Sequence, residues 1–387
     1  MRDKVDRPIV LTGATGFLGA FLMESLLKKG CNVTVLGRAS NGISLTERLS
    51  ALCRRFGIEP GKRLTAIETD FSKDLLGLDA ETYGFLCNNA KKLIHCASDT
   101  SFSERNRDRV METNVNNTSA LLKFAADSSI EKFYYISSAY ASGVTEGICM
   151  EAPVTSISFT NVYEQSKAIA ENIVLSNCEN IGVPYVILRP SIVLGHSESG
   201  MSLRFNTLYH AVKSLLIIRD IFIKNIIEQE GLRSKKWGFS LDNNGTLHMT
   251  LNIRIPNKGF INLIPVDYFV DASLRIIEDS GAKGIYHLTS EIPSEITTLV
   301  DYAERFLNVR GVSVVVDLLT RESEQNPAEE LFDKFISHYR PYLSDTRVFD
   351  RSRTNEITQG LSLPPFTYDA FKRCMDYAME NNWGKKT

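Results

Sequence analysis

The chain has 387 residues, 43% hydrophobic and 23% charged, a composition that allows one large α/β domain and a smaller attachment. A formal net charge of −2 excludes a strong electrostatic pull toward nucleic acid or an anionic membrane. Seven scattered cysteines, odd in number and without a C-x-x-C pair or a cluster with the six histidines, argue against a disulfide framework or a bound metal; they fit reduced thiols in a cytoplasmic protein.

In chain order, the first apolar strand is predicted at 9–12 and is broken at once by Gly13, Gly16 and Gly19. It is neither a secretory nor a membrane segment. The run Gly13-Ala14-Thr15-Gly16-Phe17-Leu18-Gly19 opens a helix predicted at 18–29. Glycines there permit a tight turn and let the backbone approach a pyrophosphate, whose charge a helix N-terminus stabilises. The second strand, 32–36, ends at Gly37-Arg38, where an NAD enzyme places a carboxylate for the ribose hydroxyls. Arg38 offers a planar cation instead, suited to the 2′-phosphate of NADP(H); a solvated arginine after a strand is the alternative. Arg48, on the next helix, is a candidate second phosphate contact. The third strand, 64–68, leads to Asp70-Phe71, where a carboxylate can meet the adenine amino group or simply close a turn.

The fourth strand, 93–96, ends at His95-Cys96, read as packing residues beside the cofactor. A helix at 107–126 carries Asn114, an anchor for a water or for a lysine backbone, or else a plain surface residue. The fifth strand, 133–137, ends in Ser137-Ser138, and the sixth, 185–188, precedes Arg189-Pro190. Strands rich in Val, Ile and Leu that alternate with helices predict an α/β, Rossmann-type doubly wound parallel sheet, which binds ligands at the carboxyl ends of its strands.

Beyond Pro190 the pattern loosens. The expected division is a Rossmann core at 1–195, a substrate-side insertion at 196–260, a return to the core at 261–290, and a smaller, mostly helical C-terminal substrate-side part at 291–387, read from 294 onward as helices joined by irregular loops. The insertion pairs an apolar helix (Leu208, Val212, Leu215, Leu216, Ile218) with a basic cluster (Arg233, Lys235, Lys236) and a polar stretch rich in Asn, Gly and Lys. Helix and cluster suit an acyl chain and an acidic carrier, or equally an ordinary helical cap with a solvated turn. The apolar run at 215–227 contains Arg219, Asp220 and Lys224 and is too charged to cross a bilayer, so no integral membrane segment is expected.

Tyr163 and Lys167, four residues apart in Tyr-Glu-Gln-Ser-Lys, share one face of a helix. A phenol titrating near ~10 is a poor acid at neutral pH unless a cation stabilises the phenolate, and a lysine one turn away supplies that cation and can reach the nicotinamide ribose. The Ser137-Ser138 strand end lies about two dozen residues upstream; a hydroxyl there completes a Ser–Tyr–Lys site. Side-chain alternation along a strand sends the two serines to opposite sides. Cys149 lacks a basic partner, and His196 has only its position to support it.

These residues together resemble the extended short-chain dehydrogenase/reductase superfamily, through TGATGFLG, HCASD, TNVNNT, YISSAYASG, YEQSK and LRPSIVLG in the expected order over the first half of the chain. Ser138 is favoured over Ser137 because Gly143 follows it by five residues, as in the S/T-x-x-x-Y/A-G runs of that group. VLGRAS, TERLSALCRRFG, LLGLDAETYGFLCNNAKKLIHCAS and INLIPVDYFVDA narrow the likeness to the thioester reductase and fatty acyl reductase branch, with its male-sterility-type NAD-binding domains. The branch more often has Thr where this chain has Ser138. The resemblance implies catalysis by Ser138, Tyr163, Lys167 and Asn114. It implies cofactor contacts from Thr12, Gly13, Thr15, Gly16, Phe17, Leu18, Gly19, Arg38, Arg48, Asp70, Phe71, Cys96, Ala97, Ser98, Tyr163, Lys167, Pro190 and Ile192. It further implies NADPH, an acyl thioester substrate on a carrier protein or coenzyme A, and an aldehyde or alcohol product. Helix-pair homodimers are frequent in that superfamily; the oligomeric state stays open. The rival readings are a sugar-nucleotide epimerase or dehydratase, a hydroxysteroid-like dehydrogenase, and a non-catalytic NADP-binding sensor or scaffold, which would be expected to have lost Tyr163 or Lys167.

Overall fold

Short β-branched and aromatic strands build one parallel sheet. Strands β1 (Ile9–Thr12), β2 (Val33–Gly37), β3 (Leu64–Glu68), β4 (Lys92–His95), β5 (Lys132–Ile136), β6 (Tyr185–Pro190) and β7 (Gly284–Leu288) lie in the order β7-β6-β5-β4-β1-β2-β3. Every pairing is parallel, and β1, β4, β5 and β6 are almost wholly buried, as a sheet covered on both faces requires. The computed structural model describes residues 7–145, 147–228, 231–316, 325–361, 363 and 365–384, without the side chains of 232 and 233. The side chain of Arg233, in the basic cluster, therefore lies outside the described residues.

Helices α1 (Phe17–Lys28), α2 (Leu45–Phe56), α3 (Ala80–Asn89), α4 (Arg107–Met111), α5 (Asn117–Asp127) and α6 (Val162–Ile181) connect the first six strands. One face of the sheet is covered by α3, α5 and α6, which bury Tyr83, Leu86, Leu121, Phe124, Ala170 and Val174 against Phe133, Tyr135 and Ile187. On the other face α1 packs on the helix Val266–Glu278, whose Ile277 carbonyl accepts from the Tyr134 hydroxyl at 3.1 Å. The strand order reverses between β1 and β4, and the crevice at their carboxyl ends is where such sheets bind ligands. The predicted helix at 107–126 is interrupted: Glu112–Asn116 forms a π-helical turn between α4 and α5.

The chain divides into two compact units. The first comprises Met1–Ser191, Val266–Thr289 and Val348–Ser362 and holds the parallel sheet. The second comprises Ile192–Pro265, Ser290–Arg347 and Leu363–Thr387. Its core gathers the helix Leu208–Glu228, the strand pair Leu247–Ile255 and Val309–Val316, and the helices Ile296–Leu307, Pro327–Ile336 and Tyr368–Glu380. The strand pair departs from the expected loops and helices. Leu247, Met249, Leu251, Ile253 and Ile255 are buried while His248, Thr250, Asn252 and Arg254 alternate with them, a period-two pattern that its polar members disguise as loop. Leu208, Val212, Leu215 and Ile218 are buried in this same core, with Leu216 packed against it. They fill the unit's interior, which corrects the expectation that they line an acyl groove. Among the described residues, no helix is long and apolar enough to cross a membrane.

Candidate functional site

The glycine loop is shaped by close approach. Gly13 sits at φ +74°, and a Cβ there would lie 2.4 Å from the Ala97 nitrogen. A Cβ at Gly19 would lie 2.3 Å from the Gly13 carbonyl oxygen. Glycine is therefore obligatory at both, and the loop lies against the backbone that leaves β4. Gly16 caps α1 without a side-chain bond, and the first turn (Phe17, Leu18, Gly19) carries no acidic residue. The positive end of the helix is left for an anion. The tight loop these glycines allow, followed by the open helix end, fits a dinucleotide pyrophosphate.

Hydrogen bonds fix the strand ends around it. The Thr118 hydroxyl donates to the Asn114 carbonyl at 2.7 Å and so accepts from Nε2 of His95 at 3.1 Å. Nδ1 of His95 then accepts from the Thr12 hydroxyl at 2.7 Å, which in turn accepts from the Ala97 amide at 3.3 Å. Burial holds the His95 pKa down to about 3, so the ring is the neutral tautomer that this chain of donors requires. Cys96 follows, its thiol pushed up to about 12 by burial, and the Ser98 hydroxyl donates to Asn114 Oδ1 at 3.1 Å.

Of the residues expected at the ribose end, Arg48 donates from Nη2 to the Thr15 hydroxyl at 2.8 Å and from Nη1 to the Arg38 carbonyl at 2.9 Å, linking the glycine loop to the end of β2. Arg38 itself is exposed. Asp70 is exposed too, and its carboxylate accepts from the Ser72 amide and hydroxyl at 3.1 and 2.6 Å. These bonds hold its pKa below the ordinary carboxylate value, and the geometry is that of a turn residue. Phe71 packs half-buried against the core of the sheet. Pro190 ends β6, and Ile192 opens the second unit, in register with Leu263.

Asn161 caps α6 by accepting from the Glu164 amide at 3.0 Å. This places Tyr163 at the second helical position, near the positive end of the helix where a phenolate is favoured. Lys167, one turn on, is 1% exposed. Its Nζ donates to the Ile136 carbonyl at 2.8 Å and to the Tyr135 hydroxyl at 3.3 Å, and burial lowers its pKa to about 8. The half-buried Tyr163 ring lies 5.8 Å from that of Phe102. Ser138 begins the turn Ala139–Ser142, which packs on α6. Its oxygen accepts from the Tyr140 amide at 3.3 Å, leaving the hydroxyl proton to donate. Ser137, in contrast, has a buried hydroxyl without a protein partner.

Asn114 is not a surface residue. It is 1% exposed in the π-helical turn, a type of helical irregularity frequent at functional sites. Its side chain accepts from the Ser98 hydroxyl and Asp99 amide and donates to the Asp99 carbonyl and Ser166 hydroxyl. It thus ties the loop after β4 to the residue immediately before Lys167; the lysine backbone was one of the two anchoring roles expected of it, beside a water. Sequence reasoning missed the buried pair Glu171–Arg189, whose N···O separation is 2.6 Å with exposures of 0% and 1%. An arginine inside an apolar strand was the available signal.

The parallel sheet, the glycine cradle at its reversal of strand order and the Tyr–Lys helix define a class: the extended short-chain dehydrogenase/reductase superfamily, which binds a nicotinamide dinucleotide. Residues 11–273 match the model described as male sterility protein, and the chain belongs to that family. It is similar to the nonribosomal peptide synthetase asaC of Aspergillus flavus, 24% identical over 382 residues, which cover 92% of this chain and 34% of that protein. The chain thus spans about a third of this relative's length. Among solved structures, the terminal R domain from the myxalamid PKS-NRPS biosynthetic pathway aligns with a TM-score of 0.75 at 21% identity, covering 97% of this chain and 91% of that one. The UDP-glucuronic acid 4-epimerase of Bacillus cereus, in complex with UDP-glucuronic acid and NAD, aligns at 0.65 and 15%, covering 96% and 99%. At these identities the structural likenesses show the fold alone.

Proposed function

We propose that the chain is an NADPH-dependent reductase of an acyl thioester, carried on a protein or on coenzyme A, and releases an aldehyde or alcohol. The observation that carries this reading is Lys167, buried and held by the Ile136 carbonyl one turn beyond Tyr163. The likeness to a peptide synthetase supports the choice of thioester. When bound, the nicotinamide supplies the hydride. Tyr163 and Ser138 hold the oxygen of the carbonyl under attack and Tyr163 gives it a proton, while Lys167 favours the phenolate left behind. The hemithioacetal so formed then returns a proton and breaks its C–S bond to free aldehyde and thiol, and the alcohol requires a second NADPH. Gly13, Gly16 and Gly19 with the start of α1 take the pyrophosphate, and Arg38 and Arg48 the 2′-phosphate. Thr12, Cys96, Ala97, Ser98 and Pro190 line the remainder. The exposed Lys235 and Lys236 are the cations offered to an acidic carrier.

The test is loss of nicotinamide absorbance with NADPH and a panel of acyl thioesters, ketones and sugar nucleotides. Oxidation of NADPH that depends on thioester and yields aldehyde or alcohol is the expected result. Turnover of ketones or sugar nucleotides alone would replace this reading with one of its rivals.

A further inference from the structure

Most of the described groups around Lys167 carry no charge. From the end of β4 come His95, neutral with a pKa of about 3, and Cys96, a protonated thiol. From β5, the Tyr135 ring lies 4.7 Å from Nζ, its phenol held well above the ordinary value by burial. On α6 itself, Tyr163 lies one turn before and Glu171 one turn after. Among these described groups Glu171 alone brings a formal charge, 0% exposed and four residues along α6 from Lys167, on the same helix face. Its two oxygens accept from Nε and Nη2 of Arg189 at 2.9 and 2.6 Å. Arg189 is held in turn by the carbonyls of Met150 and Ala152, at 3.4 and 3.0 Å, and by Nε2 of His287 at 3.2 Å.

A carboxylate buried beside a lysine adds directly to the field that sets the lysine's proton affinity, because little water intervenes. Arg189 opposes that field from a fixed position. We propose that Glu171 and Arg189 are a positioning pair whose balanced charges set the pH range in which the Tyr163–Lys167 site holds its proton. The proposal deepens the reductase reading and rests on it.

The experiment follows the alkaline limb of kcat/KM, where Tyr163 loses the proton it must give. Glu171→Gln leaves Arg189 as a buried, uncompensated cation, which disfavours the Lys167 ammonium and favours the Tyr163 phenolate. The limb should move to lower pH by about one unit. Arg189→Met leaves the carboxylate with Lys167 as its remaining counter-charge, and the limb should move to higher pH. The double variant Glu171→Gln/Arg189→Met carries neither charge and should restore the wild-type limb, as should the conservative Arg189→Lys.

Breaking one side of a buried pair is costly, whereas removing both charges is tolerated. If one single variant does not fold, the other is judged against the double. The pH dependence of NADPH binding is measured in parallel, so a wild type without turnover would sink the reductase reading while the pair is still tested. Limbs that stay in place in the folded single variants, with activity falling only as stability falls, would reduce the pair to a structural role.

Discussion

At the scale of single residues, Tyr163 and Arg38 differ in what a substitution takes away. Tyr163→Phe deletes one hydroxyl with little change of shape, so folding and cofactor affinity should persist while turnover falls by ~10²-fold or more. Near-normal turnover would move the proton donor elsewhere. Arg38 is exposed and placed at the end of β2, free to meet a phosphate. Losing a charge-assisted contact costs on the order of 1.5–3 kcal/mol, so Arg38→Ala should weaken NADPH roughly tenfold or more. Binding of NADH should hardly change, and equal affinity of the wild type for both cofactors would remove Arg38 from the site.

At the scale of elements, the π-helical turn between α4 and α5 holds the loop after β4 to α6 through one side chain. Asn114→Ala would strip the Asp99 amide of its acceptor and cut the tie to Ser166, whose hydroxyl keeps the Tyr163 carbonyl, a loss of about 1–3 kcal/mol. Denaturant unfolding should show that loss, and turnover should fall with it because Ser166 adjoins Lys167. An unchanged midpoint would mean that the two segments hold together without Asn114.

The elements also show what could be read in advance. β1 and β3 match their predicted limits, and the other four predicted strands of the first half shift by one or two residues, since each is a short apolar run bounded by glycine, proline or charge. The burial of Asn114 was not legible, because a π-helical turn changes which way a residue faces without changing its neighbours in sequence. Nor was the strand Val309–Val316, in which Gly311 at φ +95° takes the place of a side chain that would meet the Met249 carbonyl. Its partner strand lies more than fifty residues earlier, and only that long-range pairing makes it a strand.

At the scale of the whole molecule, two histidines link stability to acid. His95 and His287 are buried and neutral, each with its pKa lowered to about 3 from 6.5, mainly by desolvation. Between those values the unfolded chain binds protons that the folded chain refuses, so stability falls as pH drops from about 6.5 toward 3 and is unaffected by these groups above that range. Thermal unfolding from pH 7 to pH 4 should show the decline, and His95→Gln should make it shallower. The same slope in that variant would leave the acid sensitivity to His287 and the carboxylates.

The segment Val348–Ser362 gives the molecule an order of manufacture. Glu151 is 6% exposed, and its carboxylate accepts from the His287 amide on edge strand β7, from the Arg353 and Thr354 amides and from the Thr354 hydroxyl, across 136 to 203 residues of sequence. A ribosome that has just finished Glu151 must add some two hundred more residues before the acid meets its last partners, roughly 10–40 s at ordinary elongation rates. Until then the nascent sheet carries an open edge and an unmatched acid. The interval is one in which a chaperone that covers strand edges would raise the yield of finished protein, and a pause in translation just ahead of Val348 would lower it.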